Sequence, residues 1–261
     1  MPQDASSPLF NQSLAKAFAV LEAFGIERRS MNLPEMAVAA NITKSAAQRL
    51  AHSLEALGYL RKDAGSKRYS LTPRVTELGM RYMVTSPLIE TAHPYLLDLN
   101  IKLGETVNLS EPDGLEMVFV QSFAGHRQIS VQLPVGSRYP LFCSAAGRAY
   151  LSGVPKARAD VLIRQSELRA YTPMTLTDPQ EIIAQTDAAR IAGYAVTDSE
   201  FFRGDINIAS PILGLADDAV AAVGVSVPVT RWTLKDAKER IAPLVMEAAQ
   251  ALSSPASRSA R

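Results

Sequence analysis

The sequence of 261 residues contains one cysteine, Cys143, and three histidines. A single cysteine excludes an intramolecular disulfide and a multi-cysteine metal cluster. The histidines His52, His93 and His126 lie far apart, without the HxxxH or HExxH spacing of a zinc site. We therefore predict neither a disulfide framework nor a bound metal.

Long apolar runs and nucleotide-binding loops are also missing. No stretch approaches the ~18 consecutive apolar residues that a membrane helix needs, and neither GxGxxG nor GxxxxGK[ST] occurs. The start of the chain lacks the basic and apolar regions of a signal peptide, so we expect a cytosolic arm over 1–10 and a cytoplasmic protein. No cofactor and no membrane partner are predicted.

Charge is scarce overall but unevenly distributed. The net charge is +1, yet residues 1–75 carry ten basic side chains against six acidic ones. From Thr43 to Arg74 the imbalance rises to seven against two. The length suits two domains. The pattern indicates a phosphate-binding module in the N-terminal part of the chain, followed by a slightly acidic remainder. A merely solvated basic face remains the alternative.

The first part of the chain shows three helical patterns in succession. Apolar spacing predicts a helix over Ser13–Phe24 with Ser13 as its cap, and a short helix over Leu33–Ala40. Asn41 suits the sharp turn that follows, because it tolerates the left-handed conformation. Thr43 caps the next predicted helix, which runs to about Leu57. This order is typical of a helix-turn-helix.

The outer face of the third helix carries side chains suited to DNA. We predict that it presents Thr43, Lys44, Ser45, Gln48, Arg49 and His52. Arginine and glutamine make bidentate contacts to base edges, whereas serine, threonine and lysine reach phosphates. The runs Tyr59–Lys62 and Arg68–Leu71 then alternate about Ala64-Gly65-Ser66, which predicts a β-hairpin wing with a basic tip.

After the wing, the pattern predicts a connecting helix and a second domain. Helices are expected over Pro73–Met83 and from Ser86-Pro87 to about Leu103, with a kink near Pro94. Further helices are predicted over Ser144–Ser152, Pro155–Glu167, Pro179–Ala192 and Lys235–Leu252. Strands are predicted over Thr106–Leu109, Met117–Val120, Gln128–Leu133, Tyr194–Thr197, Ile206–Ile212 and Val220–Val227. Strands interleaved with helices, and an Asp113-Gly114 hairpin turn, favour an antiparallel α+β domain over a parallel nucleotide-binding sheet.

In the segment GSRYPLFCSAAGRAYLSG, small residues stand directly before a predicted helix. The first amides of that helix lack hydrogen-bond partners within the helix; they belong to Ser144, Ala145, Ala146 and Gly147. Such amides can donate hydrogen bonds to a carboxylate. An ordinary helix start capped by Ser144 is the alternative. Hydrolase chemistry finds little support, because CSAAG is not the GxSxG elbow and no histidine is placed to act as a base. A lone cysteine such as Cys143 is usually a buried small side chain.

Several of these segments resemble the IclR family. SLAKAFAVLEAF, LPEMAVAANITKSAAQRLAHSLEALGYL and RYSLTPRVTELG look like its DNA-binding domain, and GYAVTDSEFFRGDINIASPI looks like its "Gya.d..E...G...iaaPi" stretch. The resemblance implies an N-terminal winged helix-turn-helix, mainly α with a β-hairpin wing, and a C-terminal α+β effector-sensing domain that is GAF-like. It places Lys44, Ser45, Gln48 and Arg49 in the DNA groove, and Lys67 and Arg68 on the wing.

The same resemblance implies an effector pocket. Its expected residues are Phe142, Ser144, Ala145, Ala146, Gly147 and Asn207. The amides of Ala145 and Ala146 would hold a carboxylate, Ser144 would donate a side-chain hydrogen bond, and Phe142 would add an apolar or stacking surface. Asn207 would face the pocket from a strand, where many family members have cysteine. Further candidates are Phe119, Phe123 and Val131 as walls, and Arg127 and Arg138 as cations. The resemblance implies a small organic acid as the effector, and an aromatic acid is one candidate.

Together these readings predict a transcription regulator that binds double-stranded DNA at an inverted repeat and self-associates as a dimer or tetramer. The expected boundaries are an arm over 1–10, the winged domain over 11–73, a linker helix over 74–86, the effector domain over 87–254 and a tail over 255–261. Two other classes remain open. One is a winged-helix adaptor or ligand-binding protein without sequence-specific DNA binding, and the other is a small-molecule enzyme.

Overall fold

The computed structural model describes residues 7–125, 133–216 and 218–254. The chain divides into two compact units between Tyr82 and Met83. This division falls inside the range 74–86, which the sequence assigns to a connecting helix. The first unit has one hydrophobic core, whereas the second has two separate ones.

The first unit consists of helices and a two-stranded hairpin. Its elements are α1 Gln12–Glu22, α2 Leu33–Ala39, α3 Lys44–Ala56, β1 Leu60–Lys62, β2 Tyr69–Leu71 and α4 Thr76–Thr85, the last crossing into the second unit. The hairpin strands are antiparallel, with Leu60 opposite Leu71. A 3-10 turn, Pro73–Val75, precedes α4, so the helix predicted from Pro73 begins as a tighter turn.

The turn between α2 and α3 follows the sequence prediction closely. Asn41 adopts a φ of 50°, which an asparagine tolerates better than most side chains. The Thr43 hydroxyl oxygen accepts a hydrogen bond from the Ala46 amide at 3.2 Å, so Thr43 is the cap of α3. These two local features set where α3 begins.

The start and the buried face of α1 differ from the prediction. The cap is Asn11, whose side chain accepts hydrogen bonds from the Ser13 and Leu14 amides. The predicted cap, Ser13, lies inside the helix, because the asparagine two residues earlier already satisfies the first amides. The apolar spacing predicts an inner face of Leu14, Ala17, Phe18, Leu21 and Phe24. In the structure only Val20 of this helix is fully buried, and Leu14 and Phe18 are 57% and 46% exposed.

The apolar spacing of α3 predicts a buried face of Ala46, Leu50, Leu54 and Leu57, and of these only Leu54 is fully buried. Its buried residues are Ala47, Ala51 and Leu54, whereas Leu57 is exposed. Two alanines one turn apart allow a neighbouring helix to approach more closely than leucines do. The helix therefore turns its small residues inward.

The second unit is a six-stranded sheet with helices on both faces. Its elements are α5 Pro87–Leu103, β3 Thr106–Asp113, β4 Glu116–Phe123, β5 Arg138–Pro140, α6 Ala145–Gly153, α7 Lys156–Gln165, α8 Pro179–Ala192, β6 Ala195–Asp198, β7 Asp205–Leu213, β8 Ala219–Pro228, α9 Leu234–Arg240 and α10 Ala242–Leu252. The strand order is β5-β4-β3-β8-β7-β6, and every neighbouring pair is antiparallel. The predicted antiparallel α+β class is confirmed.

Two elements of this unit depart from the prediction. The closing helix is broken at Ile241 into α9 and α10. Pro243 explains the break, because a proline fits the first turn of a helix but removes a hydrogen bond from its interior. Of the strand predicted over Gln128–Leu133, residues 128–132 lie outside the described residues, and Leu133 is not in a strand. The short strand β5 was not predicted.

The two faces of the sheet bury different kinds of side chain. Val107 and Leu109 of β3 and Val225 and Val227 of β8 face a core formed with α5 and α10. The other core contains α6, α7 and α8 and includes Ala209 of β7. Because side chains alternate along a strand, the residues between those valines and leucines point toward the α6 side.

Candidate functional site

The exposed face of α3 contains the residues that the sequence assigns to DNA. All six of them are exposed: Thr43, Lys44, Ser45, Gln48, Arg49 and His52. Positions 45, 48, 49 and 52 follow the spacing of one helix face, opposite the buried Ala47 and Ala51. The helix thus offers one continuous polar surface of a size that fits a major groove.

The two wing residues predicted to contact DNA, Lys67 and Arg68, have different surroundings. Lys67 is exposed at the hairpin tip with a φ of 56°, and the Asp63 carboxylate accepts a 2.7 Å hydrogen bond from the Ser66 amide nearby. The Arg68 guanidinium instead points back toward α2, donating to Glu35 Oε2 at 2.6 Å and to the Ser30 carbonyl at 2.7 Å. Arg68 therefore joins the wing to the start of α2, and its polar atoms are already used.

A cavity lies on the α6 side of the sheet in the second unit. Its empty volume is about 640 Å³, a figure that includes the solvent-filled mouth. The sheet supplies a polar floor made of seven residues: Thr106, Asn108, Ser110, Thr197, Asp205, Asn207 and Ser226. Four of these form one row across the strands, since Thr197 pairs with Asn207, Asn207 with Ser226, and Ser226 with Thr106.

Aromatic rings form much of the cavity wall. Phe119, Tyr139, Phe201 and Phe202 line it. The rings of Phe119 and Tyr139 are 4.5 Å apart between centroids, and those of Phe201 and Phe202 are also 4.5 Å apart. The Tyr139 hydroxyl donates to Ser110 at 2.5 Å, which fixes the ring against the floor. Such a wall suits a flat apolar body in the ligand.

The start of α6 supplies the remaining predicted side of the cavity. Ser144, Ala145 and Ala146 line it, and within the described residues the amides of Ala145 and Ala146 have no hydrogen-bond partner. The Ser144 hydroxyl donates to the Pro140 carbonyl at 2.6 Å and accepts from the Gly147 amide at 3.1 Å. Ser144 is therefore the helix cap, and its proton is not available as the donor that the family resemblance implies.

The structure places two of the predicted pocket residues away from the cavity lining. Phe142 is only 1% exposed, and its ring lies in the core 6.4 Å from that of Tyr171. Gly147 is buried with its Cα against Leu141, where an added Cβ would lie 2.2 Å from the Leu141 carbonyl oxygen. Gly147 thus allows α6 to pack closely, and Phe142 anchors the segment that precedes it.

The remaining residues predicted as cavity walls or as cations lie in different places. Phe119 lines the cavity, whereas Phe123 packs in the opposite core. Val131 and Arg127 lie outside the described residues. Arg138 is held at the surface by Asp113 and Glu116, at 2.8 and 2.7 Å. None of the described lining residues is a lysine, arginine or histidine.

A buried ion pair connects α6 to the aromatic wall. The Arg148 guanidinium donates to both carboxylate oxygens of Glu200, at 2.6 and 2.7 Å, and to the Phe142 carbonyl at 2.9 Å. Its side chain is 2% exposed, and that of Glu200 is 8% exposed. Glu200 directly precedes Phe201 and Phe202, so the pair fixes these rings relative to the start of α6. Sequence reasoning did not identify this pair.

Three titratable groups at or near the cavity have shifted pKa values. Burial raises the pKa of the Tyr139 hydroxyl above its ordinary value, although its hydrogen bond with Ser110 opposes the shift. Burial raises the pKa of the Asp205 carboxyl to about 6, although a hydrogen bond from Asn207 opposes the shift. Burial likewise raises the pKa of the Cys143 thiol to about 12. Cys143 is therefore a neutral thiol at physiological pH, without the thiolate that nucleophilic catalysis requires.

Asp205, Ser226 and the β3 residues of the floor were missed by sequence reasoning. The available signal was the alternation of polar and apolar residues in Thr106-Val107-Asn108-Leu109-Ser110 and in Asp205-Ile206-Asn207-Ile208. Alternation shows that one face of a strand is polar, but solvent accounts for such a face as well as a cavity does. The strand order decides between them.

The described residues contain neither a metal-binding cluster nor a membrane-spanning helix. Within residues 7–125, 133–216 and 218–254, no three His, Cys, Asp or Glu side chains are grouped so as to hold a metal ion. Over the same ranges, no helix is long and apolar enough to cross a membrane.

Comparison with known proteins identifies the class. Residues 13–64 match the family described as IclR helix-turn-helix domain, and residues 80–254 match Bacterial transcriptional regulator IclR C-terminal. A DNA-binding helix-turn-helix joined to an effector-binding domain defines a transcription regulator. The chain belongs to the IclR family.

Individual relatives agree along nearly the whole length. The Pca regulon regulatory protein of Pseudomonas putida is 32% identical over 94% of this chain and 84% of its own. A transcriptional regulator from Rhodococcus sp. RHA1 has a solved structure with a TM-score of 0.81 and 32% identity, covering 93% and 97% of the two chains. An IclR homologue from Microbacterium hydrocarbonoxydans, complexed with 4-hydroxybenzoate, shares the fold with a TM-score of 0.77 at 23% identity, covering 95% and 100%.

Proposed function

We propose that this protein is a cytoplasmic, sequence-specific regulator whose operator binding is modulated by a small organic acid bound in its C-terminal unit. The observation that carries the proposal is the cavity at the start of α6, which combines two unpartnered amides with a polar floor and an aromatic wall. None of the described lining residues of this cavity is a cysteine, lysine or histidine.

DNA reading is assigned to the exposed face of α3. Ser45, Gln48 and Arg49 contact base edges or phosphates from this face, and Lys67 contacts the backbone from the wing. Arg68 is left out of this set, because Glu35 and Ser30 already hold its guanidinium. Two chains related by a twofold axis present two such helices to successive major grooves, roughly 34 Å apart.

The first test is selection from a random duplex library. Wild type should enrich a twofold-symmetric motif, and Arg49→Ala should weaken binding to it by about 1–3 kcal/mol, because the substitution removes a bidentate base contact. Arg158→Ala, which removes an exposed arginine from α7, is the matched control and should bind as wild type does. Unchanged affinity of Arg49→Ala for the selected site would remove Arg49 from the reading set.

The same selection tests the adaptor alternative. A regulator that neutralises phosphates loses affinity steeply as salt increases, because counterions are released on binding. No enrichment of any motif, or binding to duplex DNA that is insensitive to salt, would favour an adaptor that uses the winged domain for a protein partner.

Effector binding is assigned to the α6 end of the cavity. The carboxylate of the acid accepts hydrogen bonds from the Ala145 and Ala146 amides at the positive end of the helix. The complex of the M. hydrocarbonoxydans homologue with 4-hydroxybenzoate supports an aromatic acid, and the ring cluster of Phe119, Tyr139 and Phe201 supports it independently.

Asn207→Leu tests this assignment. The substitution removes the amide that joins Ser226 to Asp205 on the floor, so it should change the effector response while operator affinity without effector stays the same. The measurement is operator binding titrated with a pool of organic acids. Loss of operator binding and of thermal stability together would indicate a folding defect and would count against the assignment.

A further inference from the structure

Asp205 places an ionisable carboxylate on the floor of the effector cavity. Its side chain lines the cavity, and the residue is only 9% exposed. It lies at the beginning of β7, two positions before Asn207, so both side chains point to the same face of the sheet. A carboxylate is an unexpected component in a cavity proposed to bind an organic acid.

The surroundings of Asp205 leave one carboxylate oxygen available. Oδ2 accepts a 3.0 Å hydrogen bond from the Asn207 amide, whose own oxygen accepts from the Ser226 hydroxyl. Among the described residues, Oδ1 has no hydrogen-bond partner. The network therefore holds the carboxylate in place and leaves an acceptor directed at the cavity.

Among the described residues, no neighbouring cation neutralises the charge of Asp205. The described lining residues include no basic side chain. The charge nearby that acts on it is Glu105, which has the same sign and is itself held by Arg231 at 2.6 Å and by the Trp232 indole at 2.9 Å. Burial raises the pKa of Asp205 to about 6, so at neutral pH the group is mostly ionised and can only accept hydrogen bonds.

Oδ1 is open to the cavity and is not enclosed by protein atoms. A ligand that fills the cavity displaces water from this oxygen, which is costly, and a ligand that supplies a donor compensates for that loss. We propose that Asp205 selects effectors that carry, in addition to the carboxylate bound at α6, a hydroxyl or amino group that donates a hydrogen bond to Oδ1. This inference rests on the proposed function and adds the second polar group of the ligand. An acid without such a donor leaves Oδ1 desolvated and unpaired, so Asp205 lowers the affinity for that acid.

The experiment compares acids that differ only in the donor. The probes are three pairs, namely benzoate with 4-hydroxybenzoate, phenylacetate with 4-hydroxyphenylacetate, and hexanoate with 6-hydroxyhexanoate, together with 4-aminobenzoate. Binding to the full-length protein is measured by titration calorimetry at neutral pH. We expect at least one donor-bearing acid to bind about 10- to 100-fold more tightly than its partner, as a hydrogen bond to a charged group implies.

Variants connect that preference to Asp205. Asp205→Asn keeps the shape and an acceptor but removes the charge, so the preference should decrease. Asp205→Leu should abolish it or reverse it in favour of the acid without the donor. Asp198→Asn is the matched control, because Asp198 lies on the neighbouring strand, opposite Ile206, and does not line the cavity. It should retain the wild-type preference.

Three outcomes would overturn the inference. Equal affinity within every pair would mean that the donor is irrelevant. A preference that persists in Asp205→Leu would assign it to another residue of the floor. If wild type binds none of the acids, the proposed effector class itself is at fault, whereas tight binding without discrimination contradicts only the role of Asp205.

Discussion

Glu200→Gln tests the connection between α6 and the aromatic wall. The substitution preserves the shape of the side chain but leaves the buried Arg148 guanidinium without its counter-charge. Because the two side chains are only 8% and 2% exposed, solvent cannot screen the charge that remains. Removing one partner of a buried pair costs about 3–5 kcal/mol, a large fraction of the roughly 5–15 kcal/mol that stabilises a typical domain.

Urea denaturation followed by tryptophan fluorescence measures this cost. Trp232 is the one tryptophan in the chain and lies in the second unit, so its signal reports the unfolding of that unit. With a typical urea dependence of about 2 kcal/mol per molar, the midpoint of Glu200→Gln should decrease by about 2 M. Replacing both partners, as in Arg148→Met with Glu200→Met, should recover part of the loss, because no unpaired charge remains.

The control is Glu239→Gln, which removes the carboxylate from an exposed pair with Lys235. Exposed pairs contribute little, so its midpoint should match that of wild type. If Glu200→Gln also behaved like wild type, the pair would be hydrated in solution, and the argument that it positions Phe201 and Phe202 would be wrong.

Two further predictions concern the packing of α6 at Gly147 and the ionisation of Asp205 on the cavity floor. Gly147→Ala should destabilise the second unit by about 1–3 kcal/mol or more, because its Cβ would meet Leu141 backbone atoms at 2.2–2.6 Å; a wild-type melting temperature would show that α6 can shift. Burial raises the pKa of Asp205 from 3.8 to about 6, so the folded state binds that proton more tightly, and wild-type stability should decrease as the pH rises through this interval. Asp205→Asn should therefore be more stable than wild type by at most about 3 kcal/mol at neutral pH, and equally stable below about pH 4. Denaturation midpoints across this range measure the difference, and a constant difference at every pH would refute the prediction.

The helix-turn-helix was predictable because its signals are local. Asn41 and Thr43 mark the turn and the cap with side chains that act on their own backbone. The start of α6 was accessible for the same reason, since Ser144 caps the helix and leaves the next two amides free. Which face of α3 is buried was less accessible, because it depends on how closely a neighbouring helix approaches Ala47 and Ala51.

The cavity floor was not predictable, because it depends on pairing between distant strands. Thr106 and Ser226 become neighbours only when β3 pairs with β8, and no local pattern specifies this pair. Phe142 shows that closeness in sequence to cavity residues does not place a side chain in the cavity. Its position two residues before Ser144 places it near the cavity in sequence, yet its ring belongs to the core.

Because side chains alternate along β3, β7 and β8, one set of residues packs the sheet against its helices and a different set lines the cavity. Val107, Val225 and Val227 hold the sheet onto α5 and α10. Thr106, next to Val107, and Ser226, between Val225 and Val227, line the cavity on the other face. Ligand preference can therefore diverge between related chains by changes at every second position without loss of the fold. A complete substitution scan of these strands should yield two interleaved phenotypes, with altered effector response at one set of positions and loss of soluble protein at the other.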